Sequence, residues 1–347
     1  MLGPALSVKG GISSLERMID DQIFEDVKLE ILPTMHDRSL IGRFRHWLAR
    51  IVTWPLRSIC YRPDIVHIHF SHGASTARKV GLFWLWKISM RKVILHSHSS
   101  SFKDFFPKMP RPVRWIISAS FRNADMLIVL SESWKNYYSS TMKISESKIK
   151  ILNTPVILPE KDMMAKSSNT VFFSGRIGER KGTFELIEAW NLLPEKITNE
   201  YKLIISGDGE VNKARSLASS SKNPASIEVV GWVSEDRFQS ILKSCKIYIL
   251  PSKNEGLPMG LIEAMSHSKA VITTPVGGIP ELINDGENGI LVEPGNIKQI
   301  GSALQNLISD PNEITRLSRN ARESVEPLSM EIYKEKLHML WKELVGN

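Results

Sequence analysis

Residues 247–273 constrain the fold of this 347-residue chain more than any other stretch. Ile247-Tyr248-Ile249-Leu250 is an apolar run of strand length, and Ala270-Val271-Ile272-Thr273 is a second. Between them come Glu255, Gly256, Leu257, Pro258, Met259, Gly260 and Glu263. Pro258 suits the first turn of a helix, where its missing N–H would have had no intrahelical partner. The segment therefore reads as strand, glycine loop, helix, strand. Such a loop leaves the first N–H groups of the helix, and the positive end of its dipole, facing whatever binds above it; a phosphate is the natural guest. Glu263, inside the first two turns, is placed to accept hydrogen bonds from a ribose, and Glu255 in the loop from a sugar hydroxyl.

Strand-like runs alternate with helix-length segments almost throughout, which predicts an α/β architecture with mostly parallel sheets. Ile65-Val66-His67-Ile68, Val93-Ile94-Leu95 and Met126-Leu127-Ile128-Val129 read as buried strands, with helices near 74–90 and 111–123. Val171-Phe172-Phe173, Leu203-Ile204-Ile205 and Ile227-Glu228-Val229-Val230 open a second series of strands. A stretch rich in Pro, Lys, Ser and Met separates the two series. The predicted organisation is a Rossmann-like domain over 1–153, a linker over 154–168, a second such domain over 169–328 and a terminal helix over 329–347, with the two sheets facing across a cleft. Tyr333, Leu337, Leu340 and Leu344 give the terminal helix its apolar spacing.

Charge is unevenly spread. Residues 1–150 hold 23 Lys and Arg against 12 Asp and Glu, and the rest hold 22 against 25. Six of the nine tryptophans also lie in the first part, so the two halves have different surroundings or different partners. Cys60 and Cys245 are far apart and fit neither a metal nor a redox spacing, as expected of a cytoplasmic protein. The N-terminus lacks the pattern of a signal peptide. The longest apolar stretch, Val80 to Met90, is broken by Lys87 and falls short of the ~20 residues of a membrane helix.

The 251–263 segment resembles the E-x₇-E signature of retaining GT-B glycosyltransferases, in wording close to glycosyltransferase family 4. The resemblance runs on through Thr274-Pro275-Val276-Gly277-Gly278-Ile279-Pro280-Glu281 and Asn288-Gly289-Ile290-Leu291-Val292. Upstream it includes Ser174-Gly175-Arg176-Ile177-Gly178-Glu179-Arg180-Lys181-Gly182 and Ile205-Ser206-Gly207-Asp208-Gly209. The first half matches more loosely, through Gly10-Gly11-Ile12, Pro63-Asp64-Ile65-Val66-His67, His96-Ser97-His98 and Ala124 to Ser131. Two departures stand out. Only Met1-Leu2-Gly3-Pro4 precedes the first glycine loop, which predicts a stunted first strand or a misplaced start, and Asn153-Thr154-Pro155-Val156 replaces the family's Asn-Gly-Val-Asp.

The resemblance implies a GT-B fold, with the terminal helix crossing back onto the first domain. It also implies donor-binding roles for Gly11, Arg176, Lys181, Glu255, Gly256, Leu257, Met259, Gly260 and Glu263, and catalytic roles for His98, Arg176, Lys181 and Glu255. Arg176 and Lys181 follow a strand within a glycine loop, and fixed cations aimed at a diphosphate leaving group lower the barrier as its charge develops. Arg offers a planar fork and Lys a point charge, while Arg180 beside them is expected to face solvent. His98 is favoured over His96, because a histidine at a strand's end meets a ligand more readily than one in its interior. Gly10 and Gly11 either admit a close approach to the donor or belong to a plain flexible terminus.

His67, His69 and His72 read as sheet-edge residues, since no acidic or cysteine partner stands at metal-binding spacing. The chain has no Asp-x-Asp motif, the usual divalent-metal clamp of the other main glycosyltransferase architecture, so no metal and no cofactor is expected. The basic, aromatic segment from Leu40 to Arg62 fits either an amphipathic helix on an anionic membrane or one covering the first sheet; Lys103, Lys108, Arg111 and Arg114 would extend the same patch. No nucleic-acid reading motif accompanies these charges.

The function expected is a cytoplasmic, metal-independent hexosyltransferase of the retaining kind, peripheral on the inner face of the cell membrane. It would move sugar from a UDP- or GDP-sugar to a hydroxyl of a glycan or lipid-linked acceptor in surface polysaccharide biosynthesis. The alternative is a GT-B enzyme acting on the nucleotide sugar itself, as an epimerase does.

Overall fold

The computed structural model describes residues 1–8, 10–35, 62–160 and 168–346. Residues 40–61 of the basic aromatic segment, Cys60 among them, lie outside the described residues, as do 161–167 of the expected linker. The chain divides into two compact units, Met1–Pro155 with Met330–Asn347, and Val156–Ser329.

The first unit is built on a six-stranded sheet of β1 (Leu2–Pro4), β2 (Leu32–Met35), β3 (Ile65–Phe70), β4 (Lys92–Ser97), β5 (Met126–Val129) and β6 (Ile149–Ile151). Its order is β2-β1-β3-β4-β5-β6, with every pairing parallel. Parallel strands need helical crossovers, and these cover both faces, so the strands are buried on both sides. One face packs Val66, Ile68, Phe70, Leu95 and Leu127 beneath Phe102, Phe121 and Tyr138. The other packs Ile94, Met126 and Ile128 against Leu15 and Ile19 of the helix Gly11–Asp20.

The helix Met330–Val345 completes this second face by burying Met330, Tyr333, Leu337 and Trp341. Four such side chains contribute on the order of 6–12 kcal/mol of burial, enough to fix a segment remote in sequence. Strand β1 is short, three residues. Lys79, fully buried beneath it, donates to the Leu2 carbonyl at 2.8 Å and to Thr34 Oγ1 at 2.6 Å.

The second unit holds β7 (Thr170–Ser174), β8 (Lys202–Ser206), β9 (Ile227–Gly231), β10 (Ile247–Leu250), β11 (Ala270–Thr273) and β12 (Ile290–Leu291). The order β12-β11-β10-β7-β8-β9 is again all parallel. From β7 the chain winds outward through β8 and β9, then returns to lay β10, β11 and β12 on the other side. The order therefore reverses between β7 and β10, and in a doubly wound sheet the crevice outside the carboxyl ends of such neighbours is where ligands bind.

Candidate active site

The loops that leave β7 and β10 carry most of the residues singled out from the sequence. After β7 the chain passes Gly175, Arg176 and Gly178 into a single 3₁₀ turn, Glu179–Lys181, before the helix Thr183–Asn191. Gly182 joins turn to helix with φ of +68°, and a Cβ there would stand 2.1 Å from the Pro251 carbonyl oxygen. Only glycine satisfies both demands, and the contact draws the two loops together. Gly277, after β11, does the same from the other side: its Cβ would stand 2.0 Å from the Glu255 carbonyl oxygen. The Gly278 N–H donates to the Gly256 carbonyl at 2.6 Å. Three loops at the ends of adjacent strands are thus locked to one another by backbone.

This contact fixes the side chains. Lys181 Nζ donates to Glu255 Oε1 at 2.5 Å, and both side chains are largely buried. Arg180 is exposed, as expected, and it also donates from Nη1 to the Asn254 carbonyl at 2.9 Å and lies 3.9 Å from Glu255 Oε2. Arg176 is exposed, and among the described residues its guanidinium has no hydrogen-bond or ion-pair partner. Of the three cations, Lys181 is paired with Glu255, Arg180 braces the neighbouring loop, and Arg176 is exposed.

The helix Met259–Ser266 begins one residue later than the proline signal suggested. Pro258 is its N-cap, and the Pro258 carbonyl accepts from Leu261 N at 3.1 Å and Ile262 N at 3.3 Å. The amides of Met259 and Gly260 precede these first intrahelical bonds, and both residues are partly exposed. Gly256 and Leu257 are buried. Gly260 has its own reason to lack a side chain: a Cβ would meet the Tyr248 hydroxyl at 2.7 Å. That hydroxyl donates to the Ser174 carbonyl at 3.1 Å, tying β10 to the end of β7. Glu263, one turn on, is half-buried, and its carboxyl group has no partner among the described residues. Desolvation, helped by the charge of Glu235, pushes its pKa up to about 7. A hydrogen-bond donor on a ligand would relieve both conditions.

In the first unit four imidazoles share one face of β3 and β4. His67 and His69 are buried in the sheet interior, 2% and 0% exposed, which corrects their expected place at its edge. They are interior because β3 is central, flanked by β1 and β4. His67 Nε2 and His96 Nδ1 are 3.2 Å apart, and His69 Nδ1 and His98 Nε2 are 2.9 Å apart. His72, beyond the strand, pairs through Nδ1 with Ser99 Oγ at 3.1 Å. His98 stands one residue past β4; its N–H donates to the Phe70 carbonyl at 2.9 Å, and its side chain is half-buried. Desolvation holds the His98 pKa down at about 3, and lowers those of His67, His69 and His96 well below the ordinary value. Gly11 opens the helix after β1, and Gly10 before it has φ of +144°.

One ring nitrogen from each of His67, His69 and His96 falls within 4.8 Å of the others, close enough to test against a metal ion. A metal-bound histidine donates its other ring N–H to an acceptor. His67 does the reverse, since Trp341 Nε1–H, a donor only, points at its Nδ1 from 3.2 Å. That contact puts the His67 hydrogen on Nε2, the atom a metal would need bare. The set fits a chain of neutral imidazoles and not a metal centre.

Arg176, Lys181, Glu255, Gly256, Leu257, Met259, Gly260 and Glu263 are gathered in the second unit, while His98 and Gly11 lie at the ends of β4 and β1 in the first. Sequence reasoning missed the contacts made by Arg180, Tyr248, His69 and Trp341. Trp341 had a legible signal, four residues after Leu337 on the same helical face. The others depend on contacts between loops or strands that local spacing does not report.

Residues 15–158 match the family described as Glycosyltransferase Family 4, and residues 158–324 the family described as Glycosyl transferases group 1. An uncharacterised glycosyltransferase of Methanocaldococcus jannaschii is 28% identical over 270 residues, 77% of this chain and 72% of its own length. An α-1,4-N-acetyl-D-galactosaminyltransferase of Campylobacter jejuni, named for an acceptor carried on diNAcBac-PP-undecaprenol, is 26% identical over 264 residues, 75% of this chain and 70% of its own. Among solved structures, the Anabaena protein HepE in complex with UDP superposes with a TM-score of 0.71 at 15% identity, covering 90% of this chain and 86% of that one. At that identity the superposition speaks for the fold alone. With both halves matched in order and the fold in agreement, the chain belongs to the GT-B glycosyltransferases of the family 4 kind.

Proposed function

We propose that the protein is a retaining, metal-independent hexosyltransferase that uses a nucleoside diphosphate sugar, with a glycan or lipid-linked glycan hydroxyl as acceptor in surface polysaccharide assembly. The observation that carries this reading is the exposed guanidinium of Arg176, without a partner among the described residues, on the loop after β7 that also carries Lys181 to its pair with Glu255. Arg176 and Lys181 hold the diphosphate, with the amides of Met259 and Gly260 at the open helix end beside them. Glu263 takes the ribose hydroxyls, and Glu255, already oriented by Lys181, takes a hydroxyl of the sugar. Gly11 and His98 are the proposed donor contacts from the first unit.

The transfer proceeds on one face of the sugar. The acceptor oxygen bonds to the anomeric carbon as the bond from that carbon to the phosphate oxygen breaks, and the departing diphosphate takes the acceptor's proton. The leaving group acts as base, so no separate general base is required. Fixed cations stabilise the charge as it develops, with each well-placed donor worth about 3–4 kcal/mol in the transition state. UDP is the favoured nucleotide because HepE was solved with it, and a lipid-linked acceptor is favoured by the name of the Campylobacter relative.

Among the described residues no helix is long and apolar enough to cross a membrane. On the helix Arg111–Asn123, Trp115 is 67% exposed beside exposed Val113 and Ile116, close in sequence to Lys103, Lys108, Arg111 and Arg114. An exposed tryptophan among cations suits an anionic leaflet. Thermal shift against UDP-, GDP- and ADP-sugars tests the nucleotide. The expected result is stabilisation by one class, about 2.7 kcal/mol at a hundredfold excess over its Kd; no stabilisation by any of them removes the donor reading. Consumption of donor with no acceptor present would favour the epimerase-like alternative.

A further inference from the structure

The histidine array has a direction. Trp341 Nε1–H can only donate, so His67 Nδ1 is bare and the neutral ring carries its hydrogen on Nε2. His67 Nε2–H then donates to His96 Nδ1, which leaves the His96 hydrogen on Nε2. Among the described residues that Nε2 is buried without a partner, and so is His69 Nε2. The open choice lies in the second pair, where the one hydrogen between His69 Nδ1 and His98 Nε2 belongs to one ring or the other.

If His98 donated, neutral His69 would carry its own hydrogen on the buried, partnerless Nε2. The array would then hold two orphaned N–H groups, on His69 and His96, whose rings lie 5.0 Å apart. If His69 donates instead, its Nε2 is a bare lone pair in the same cluster as the His96 N–H. An orphaned buried donor is the rarer and costlier state, and an N–H near a lone pair is attractive where two N–H groups repel.

We propose that His69 is a positioning residue, which donates from Nδ1 to His98 Nε2 and so fixes His98 as a neutral ring with its Nδ1–H available to a ligand. His98 then serves as a hydrogen-bond donor to an oxygen of the ligand, a hydroxyl being the fitting class, and not as a proton acceptor. The backbone bond from His98 N–H to the Phe70 carbonyl and the bond from the buried, 0% exposed His69 together hold the ring by two anchors. The functional part of this inference rests on the reading of His98 as the sugar contact.

Nitrogen–proton NMR correlations of the histidine side chains in the full chain should show His98 with hydrogen on Nδ1 and a bare Nε2, and His69 with hydrogen on Nδ1; the opposite pattern overturns the inference. In kinetics, His69→Asn keeps a donor at the Nδ1 place and should hold kcat/KM for the nucleotide sugar within about threefold, whereas His69→Leu should lower it about tenfold, the loss of one hydrogen bond. The Kd of the free nucleoside diphosphate should stay unchanged in both. His69→Leu with parental kcat/KM, or His69→Asn falling equally low, overturns it too. Should His69→Leu fail to fold, the spectra of the unaltered chain still decide. Undiminished activity in His98→Ala would instead sink the sugar-contact reading, an outcome separate from the spectra.

Discussion

In the second unit the proposed ligand groups are charged side chains beyond the strand ends; in the first the proposed side chain is one neutral ring, His98, backed by imidazoles inside the strands. Lys181 and Glu255 neutralise each other at 2.5 Å, and Arg176 stands exposed. His67, His69 and His96 are wholly enclosed, where desolvation keeps a ring from taking a proton. The difference follows from what each region would handle. A diphosphate calls for positive charge that water can still reach before binding. A hydroxyl calls for a fixed, uncharged hydrogen-bonding ring. Loops supply the first because a charge buried in a strand would be costly, and strands supply the second because their pairing fixes direction.

The comparison breaks first at Arg176. Arg176→Ala should lower kcat by about a hundredfold or more, roughly 3 kcal/mol of transition-state stabilisation, with the melting temperature unchanged because among the described residues the side chain has no partner to lose. Steady-state kinetics with a thermal melt checks both halves; unchanged turnover would leave the charged region without its central member.

Next in size is the ion pair. Glu255→Gln leaves Lys181 largely buried without its counter-charge, and urea denaturation should show a loss of about 2–3 kcal/mol. A nucleoside diphosphate should recover part of that loss, giving a larger ligand-induced shift in the variant than in the parent. A smaller shift would mean that the ligand does not reach Lys181.

Glu263 sharpens the comparison through pH. Its pKa is raised from 4.5 to about 7, so across that interval the folded chain holds a proton that the unfolded chain has released. Its contribution to stability is therefore most favourable near the lower value and declines as pH rises through about 7. Replacing it by Gln should raise stability relative to the parent by on the order of 2 kcal/mol more at about pH 8 than at about pH 4.5, after allowance for partial exposure. Glu16, buried beside Lys79 and also raised to about 7, is common to both chains and cancels. A difference independent of pH would place Glu263 in water.

The smallest effect belongs to the imidazole chain. Trp341→Phe keeps the ring but removes the donor to His67 Nδ1, and should cost about 1 kcal/mol in denaturant melts. Nucleotide affinity should not change, because the donor lost lies in the other unit.

The two series of strands were legible because buried parallel strands are short, continuous apolar runs. Met126–Val129 and Ile247–Leu250 were placed residue for residue. Boundaries at turns were less so: Pro258 fits both a first turn and a cap, and the choice depends on where its carbonyl finds partners. Arg180 is exposed as expected, but its bond to the Asn254 carbonyl was not legible, because a cation in a loop has no periodicity to say which neighbour it meets. The edge reading of His67 and His69 failed for a related reason, since a strand's sequence does not say how many neighbours lie beside it.

By itself the sequence determined the α/β alternation, the glycine loops, and the cationic and acidic residue types at 176, 181, 255 and 263 on which the proposed diphosphate and sugar contacts rest. These are properties of spacing and side-chain chemistry, which a chain carries before it folds. Tertiary structure alone decided strand order, and with it the reversal between β7 and β10 that sets two distant loops side by side. It also decided that Lys181 meets Glu255, and that a terminal tryptophan fixes the hydrogen of His67. Those outcomes depend on which surfaces pack together, an interaction between remote segments that local pattern does not encode.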